Sequence, residues 1–213
     1  MKPVAIWGFG GQAKIVADAL LSRGLRPAGF IVPVGGASLV HGKAPLADER
    51  ALDDPAFLAE HDVVPATGSA AVRRRIAEKV VANGGRLATV VHAAAIVSPS
   101  AVIGAGTMLM AAAVVAADAR VGRFCIVNTG ATVDHDDVLE DGVNVSPGAH
   151  LAGAVICRED AFIGIGAAII QGRHDRPGRH RGRGRRRHPR RAGRRHGRRN
   201  PCPAARKPAI IDR

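Results

Sequence analysis

The sequence predicts a small α/β domain over residues 1–92, a parallel β-helix over residues 93–172 and a disordered arginine-rich tail over residues 173–213. Three observations carry this reading. A strand, a glycine turn and a helix open the chain; a six-residue period runs unbroken through its middle; and the composition changes abruptly after Gly172.

Residues 3–7 are apolar and extended in pattern, and they run directly into Gly8-Phe9-Gly10-Gly11-Gln12-Ala13. An amphipathic helix is expected over residues 12–23, with Ile15, Val16, Ala19 and Leu20 as its buried stripe. A second strand follows at 27–32. Together these spell G-x-G-x-x-A between a strand and a helix, where glycines let a phosphate approach the backbone and the helix N-terminus favours its charge. An NAD site needs an acid at the end of the second strand to hold the ribose. Phe30-Ile31-Val32-Pro33 stands there instead, which disfavours NAD. Two readings remain: a site for a nucleotide-linked sugar, or a glycine turn that only joins strand to helix.

A short helix is expected within residues 48–58, a strand at 62–67 ending in Gly68-Ser69, and a helix over 70–83. Arg73, Arg74 and Arg75 lie near the start of that helix, either to meet a phosphate or as a solvated face. Asn83-Gly84-Gly85 ends it. One last strand is expected at 87–91, and His92 marks the junction.

From Val97 the chain divides into sixes: VSPSAV, IGAGTM, LMAAAV, VAADAR, VGRFCI, VNTGAT, VDHDDV, LEDGVN, VSPGAH, LAGAVI, CREDAF, IGIGAA, with a thirteenth unit opening at Ile169. Every first place is Val, Ile, Leu or Cys. The fifth place is small or β-branched throughout, except at Asp137. A helix returns its apolar face every 3.6 residues and cannot use this period. Short strands that turn every six residues can, and the pattern is the mark of a parallel β-helix. Three units make one coil, so residues eighteen apart stack about 4.8 Å apart. Val97, Val115, Val133, Leu151 and Ile169 then form one interior column, and Gly104, Gly106, Gly122, Gly142, Gly148, Gly164 and Gly166 relieve the turns.

The formal charge of +13 belongs to the tail. Residues 1–172 carry a net −2, whereas 173–213 hold 17 basic residues against two acidic ones. Cys125 and Cys157 fall on core places of the repeat and, with Cys202, form no metal-binding spacing, so no metal is expected. The N-terminus lacks a signal-peptide pattern, and no segment is apolar enough for a membrane span, which predicts a cytoplasmic protein with no membrane partner.

Within the repeats, Val133-Asp134-His135-Asp136-Asp137-Val138 stands apart. His135 is third in its unit, near a corner. A histidine among carboxylates titrates near neutrality and serves as a general base, or it is a surface histidine with acidic neighbours. The preceding unit offers Asn128, Thr129 and Thr132, either to orient a substrate or to continue a polar ladder.

The Gly8-Phe9-Gly10-Gly11-Gln12-Ala13 start, the arginine-bearing helix after Gly68-Ser69, the junction histidine His92 and Val127-Asn128-Thr129-Gly130-Ala131-Thr132-Val133-Asp134-His135-Asp136 form a specific combination. Over residues 2–172 it resembles the bacterial hexapeptide-repeat sugar acetyltransferases, which include sialic acid O-acetyltransferases and UDP-4-amino-sugar N-acetyltransferases. The resemblance implies a Rossmann-like domain, a left-handed β-helix and a homotrimer. It implies His135 as catalytic base with Asp136 as its orienter. It further implies Gly8, Gly10, Gly11, Gly68 and Asn128 against the nucleotide sugar. Acetyl-CoA, the acetyl donor, would lie in a groove between subunits at Gly148, Gly153, Gly164 and Gly166. Whether nitrogen or oxygen is acetylated stays open.

The tail breaks the register. Interior places would fall on Asp175, Arg181, Arg187, Gly193 and Arg199, so the core is expected to stop after Gly172. Residues 173–200 hold fourteen Arg and no Lys, with no aromatic for base stacking, a composition expected of a GC-rich gene read in a shifted frame. The resemblance implies further coils in place of this tail, and their loss predicts weak activity. Two rival functions follow. One is non-specific nucleic-acid binding through the tail; the other is a folded relative without catalysis.

Overall fold

The computed structural model describes residues 2–36, 39, 40, 42 and 44–171, and beyond these only the backbone of His174–Asp175 and His180–Arg181. The chain opens with strand β1 (Val4–Trp7), helix α1 (Gly11–Leu21) and strands β2 (Gly29–Val32) and β3 (Ala47–Asp48). A 3-10 turn at Glu49–Asp53, helix α2 (Pro55–Glu60), strand β4 (Asp62–Pro65), helix α3 (Ala70–Ala82) and strand β5 (Arg86–Leu87) follow. The strands form one parallel sheet in the order β3-β2-β1-β4-β5. Alternation along β1 assigns its two faces. Val4 and Ile6 pack with Val16 and Leu20 of α1, while Ala5 and Trp7 pack with Ile76 and Val80 of α3. The Ser69 hydroxyl caps α3 by accepting the Val72 N–H at 3.4 Å, whereas α1 starts on Gly10 with no side-chain cap.

The strand expected at 87–91 is two strands in two sheets. Arg86–Leu87 closes the N-terminal sheet beside β4, and Val90–Val91 opens the β-helix beside Met108–Leu109. The backbone changes partner between Ala88, whose N–H donates to Val63, and Val90, whose N–H donates to Thr107.

From Val90 onward three parallel sheets form a triangular prism. Pairings join residues eighteen apart, as the period requires, and Val97, Val115, Val133, Leu151 and Ile169 lie in one column of the sheet through Thr132–Val133. The interior is filled by first-place aliphatics and small fifth-place residues, with Cys125 and Cys157 buried among them. Each well-buried Val or Leu contributes about 1.5–3 kcal/mol, so the stack is held by its own repetition.

Every fourth-place residue from Gly106 to Gly166 has a positive φ, from 42° to 76°. The turn glycines are therefore Gly106, Gly130, Gly142, Gly148 and Gly166, while Asp118, Asp136 and Asp160 take the same conformation elsewhere. Two second-place glycines, Gly104 and Gly122, serve a different need from the turn relief expected of them. A Cβ on Gly104 would lie 2.5 Å from the Gly122 backbone, so their bareness lets successive coils stack.

The N-terminal domain sits on one face of the prism. α1 and its neighbours pack against Val90, Met108, Met110 and Ile126, and the Gln12 amide lies 3.9 Å from the Met108 sulfur. Arg73, expected on a solvated face or a phosphate, is instead fully buried. Its guanidinium donates to the carbonyls of Phe124 (2.9 Å), Thr67 (3.0 Å) and Gly142 (2.6 Å), tying α3 to two coils. Burial without a carboxylate partner lowers its pKa to about 10. Arg74 pairs with Glu159 and Asp160, and Arg75 with Glu49.

Past residue 172, His174–Asp175 and His180–Arg181 pair with Ile156–Cys157 and Phe162–Ile163, so the backbone register runs two strands beyond the expected boundary. The disorder, shifted frame and nucleic-acid binding expected of the remaining tail lie outside the described residues.

Candidate active site

The prism has three edges, and His135 occupies the one between the sheets of Thr132–Val133 and Val138–Leu139. This edge is opposite the face on which the N-terminal domain sits. Asp136 follows with φ 60°, a left-handed conformation that a short polar side chain tolerates. It turns its carboxylate back to the His135 Nδ1, 2.8 Å away. An ionised carboxylate only accepts, so Nδ1 carries the proton and Nε2 keeps its lone pair. Nε2 has no hydrogen-bond partner among the described residues. The Asp136 hydrogen bond, helped by the charges of Asp134, Asp136 and Asp137, raises the His135 pKa from its ordinary 6.5. The site thus presents an oriented base, half-exposed, whose basicity is increased.

Asp137 is fully buried at the fifth place, where other units carry small residues. One carboxylate oxygen accepts the Asp134 N–H and the other the Val155 N–H, each at 2.8 Å, so it laces its own corner to the next coil. Burial nevertheless raises its pKa to about 6. Eighteen residues beyond His135 is Gly153, and a Cβ there would stand 2.5 Å from both Cε1 and Nε2 of the imidazole.

The other expected residues lie elsewhere. Gly8 is buried with φ 130°, where a Cβ would collide with the Ala66 carbonyl oxygen, so it allows β1 to close against β4. Gly10 and Gly11 are exposed at the start of α1 with open space beside them, and Gly68 is exposed in the turn before α3. Asn128 is half-buried on a different edge, its Oδ1 accepting the Thr129 N–H at 2.8 Å. Gly148 and Gly166 continue that edge from Gly130, all at positive φ with no atom near where a side chain would be. Gly164 is buried and its carbonyl accepts the Ala167 N–H. The structure therefore brings His135, Asp136 and Gly153 together. It does not bring the glycine loop, Gly68 or Asn128 of the same chain to them.

Two features escaped the residue-level reading. Gly153 contacts the imidazole, a relation visible only by adding one full coil to 135. Thr132 and His150, also one coil apart, share a hydrogen bond of 3.0 Å on the face between the His135 and Gly148 edges. Among the described residues no cluster of His, Cys, Asp and Glu could hold a metal ion, and no helix is long and apolar enough to cross a membrane.

No protein-family model matches the chain. It is 32% identical over 106 residues to a GDP-perosamine N-acetyltransferase of Escherichia coli O157:H7, covering 50% of this chain and 48% of that protein. The matches span about half the length of the curated relatives. Solved structures cover more. A histidine-to-alanine variant of the GDP-perosamine N-acetyltransferase of Caulobacter crescentus, bound to CoA and GDP-perosamine, superposes with a TM-score of 0.76 at 33% identity, covering 82% of each chain. The acetyltransferase domain of PglB from Neisseria gonorrhoeae FA1090, bound to acetyl coenzyme A, gives 0.65 at 31% identity, covering 81% of this chain and 95% of that one. The six-residue coil, the open base at its edge and this likeness agree, and the chain belongs to the hexapeptide-repeat sugar acetyltransferase family.

Proposed function

We propose that the protein transfers the acetyl group of acetyl-CoA to an amino group of a nucleotide-linked sugar, with His135 as general base. The observation that carries this is the His135–Asp136 pair, which leaves Nε2 as an unpartnered acceptor on an open edge. Nε2 takes the proton from the attacking amine as that nitrogen bonds to the thioester carbonyl carbon. The carbon–sulfur bond then breaks, and the imidazolium supplies the proton that leaves with CoA. Asp136 stabilises the imidazolium and holds its tautomer. Nitrogen rather than oxygen is the favoured acceptor because the relatives above are N-acetyltransferases.

Acetyl-CoA is assigned to the edge of Gly130, Gly148 and Gly166, where three successive coils present a bare Cα with no atom within 4 Å of where a Cβ would stand. The left-handed sense of the coil belongs to this reading, and so does a homotrimer. The glycine loop begins the helix that packs on one prism face, and His135 lies on the opposite edge. This placement on opposite sides supports a site shared between chains, in which a neighbour's loop faces this chain's His135.

The test is release of free CoA thiol in the presence of acetyl-CoA and GDP-perosamine or a UDP-4-amino sugar. Acetyl transfer lost in His135→Ala supports the reading; equal transfer by the variant rejects it. Mixing His135→Ala with Gly10→Trp subunits should restore some transfer if sites form between chains. Failure of every mixture would reject the shared site.

A further inference from the structure

We infer that Gly153 and Asp137 are positioning residues for His135: the bare Cα of Gly153 is the floor on which the imidazole lies, and the buried Asp137 carboxylate holds that floor in register beneath it. The assignment of His135 as base rests on the function proposed above; the seat itself rests on contacts.

Three observations converge on the seat. A Cβ at 153 would lie 2.5 Å from Cε1, 2.5 Å from Nε2 and 3.0 Å from Cδ2, so any side chain there must displace the ring. Gly153 does not have a positive φ, hence its backbone does not itself demand glycine. What demands it is the imidazole. The second observation is the lacing: Asp137 accepts Asp134 N–H and Val155 N–H, and the His135 carbonyl accepts Ala154 N–H at 3.0 Å. Two of these hydrogen bonds, from Val155 and Ala154, bind the corner that carries the base to the corner that supports it, and the third closes the His135 corner on itself. The third is the repeat, in which Ala fills the fifth place at 101, 113, 119, 131, 149, 161 and 167. The coil can therefore close without a carboxylate there, and Asp137 must answer a local need. A ring free to swing off Gly153 would carry Nε2 out of line with the attacking group, and a misplacement of about 1 Å can cost on the order of a hundredfold in rate.

The experiment uses Gly153→Ala and Asp137→Ala in the full chain. Both should fold, since Ala suits each backbone position. Gly153→Ala should lower kcat about tenfold or more with the KM values for acetyl-CoA and sugar nearly unchanged, and Asp137→Ala less. Combined with His135→Ala, Gly153→Ala should bring no further loss. A raised KM for acetyl-CoA at unchanged kcat would show that Gly153 serves the donor, and would overturn the seat. A loss undiminished in the His135→Ala background would overturn it too. A second readout needs no turnover: the imidazole resonances of His135, followed by NMR against pH, should shift in Gly153→Ala. Should the wild type transfer no acetyl group to any sugar tested, the functional reading fails, yet the NMR titration still decides the seat; unchanged resonances would refute it.

Discussion

The edge at Asp136 and the edge at Gly148 follow the same backbone path and present opposite surfaces. Both turn through a fourth-place residue at positive φ, 60° and 62°. Yet the first carries His135 with three aspartates around it, and the second is bare over Gly130, Gly148 and Gly166. The repeat dictates where the chain turns but leaves the third and fourth places free, so chemistry is written into departures from the repeat. On the function proposed above, one edge supplies a base and the other takes a long thin ligand. The third edge is structural, because Phe124 and Gly142 there accept the buried Arg73.

That division predicts where substitutions will hurt stability and where they will hurt rate. Arg73→Met should have the largest effect, a loss of about 3 kcal/mol or more, since it strands carbonyls that each cost about 1–3 kcal/mol when buried without a donor. Denaturant unfolding measures this, and a smaller loss would mean that water replaces the guanidinium. On the catalytic edge, His135→Ala should lower turnover about a hundredfold while the unfolding midpoint stays in place. Equal damage to both would erase the contrast between the edges.

Asp136→Asn should cost about tenfold and shift the pH profile, a general base near its working pH being sensitive to its pKa. Asp136 raises the His135 pKa above 6.5, so the free base, and with it the rate, appears as pH rises through that raised value. Removing the charge lowers the pKa, and the rising limb should move to lower pH. The same sign governs stability: the contribution of the pair is present below 6.5 and fades as pH rises through the folded value. An unmoved limb would remove Asp136 from its role. Asn is the informative replacement, because it too accepts a left-handed backbone.

Gly148→Ala should have the smallest effect on folding, about 1 kcal/mol for a Cβ at positive φ, since Ala112 and Ala154 already adopt this conformation. Its sharper readout is the KM for acetyl-CoA, which should rise if the bare edge seats the donor. An unchanged KM would leave that edge without a function.

The prism was legible in the sequence because its interactions repeat. A hydrophobic first place every six residues fixes strand, turn and eighteen-residue pairing together, without reference to anything distant. The G-x-G-x-x-A turn and the catalytic candidate His135 were legible for the same local reason. Tertiary structure decided what depended on stacking or docking. The close stacking at Gly104 and Gly122, the contact of Gly153 with His135 and the hydrogen bond from Val155 to Asp137 join residues about one coil apart, so their meaning lies in a neighbour some eighteen positions away. Arg73 looked like a solvated cation because helix periodicity shows that a residue faces inward only when it is apolar. Its burial was settled by two carbonyls, 51 and 69 residues distant, that no local pattern announces. The split of residues 87–91 between two sheets has the same origin: an apolar run carries no record of which partner strand each half will find.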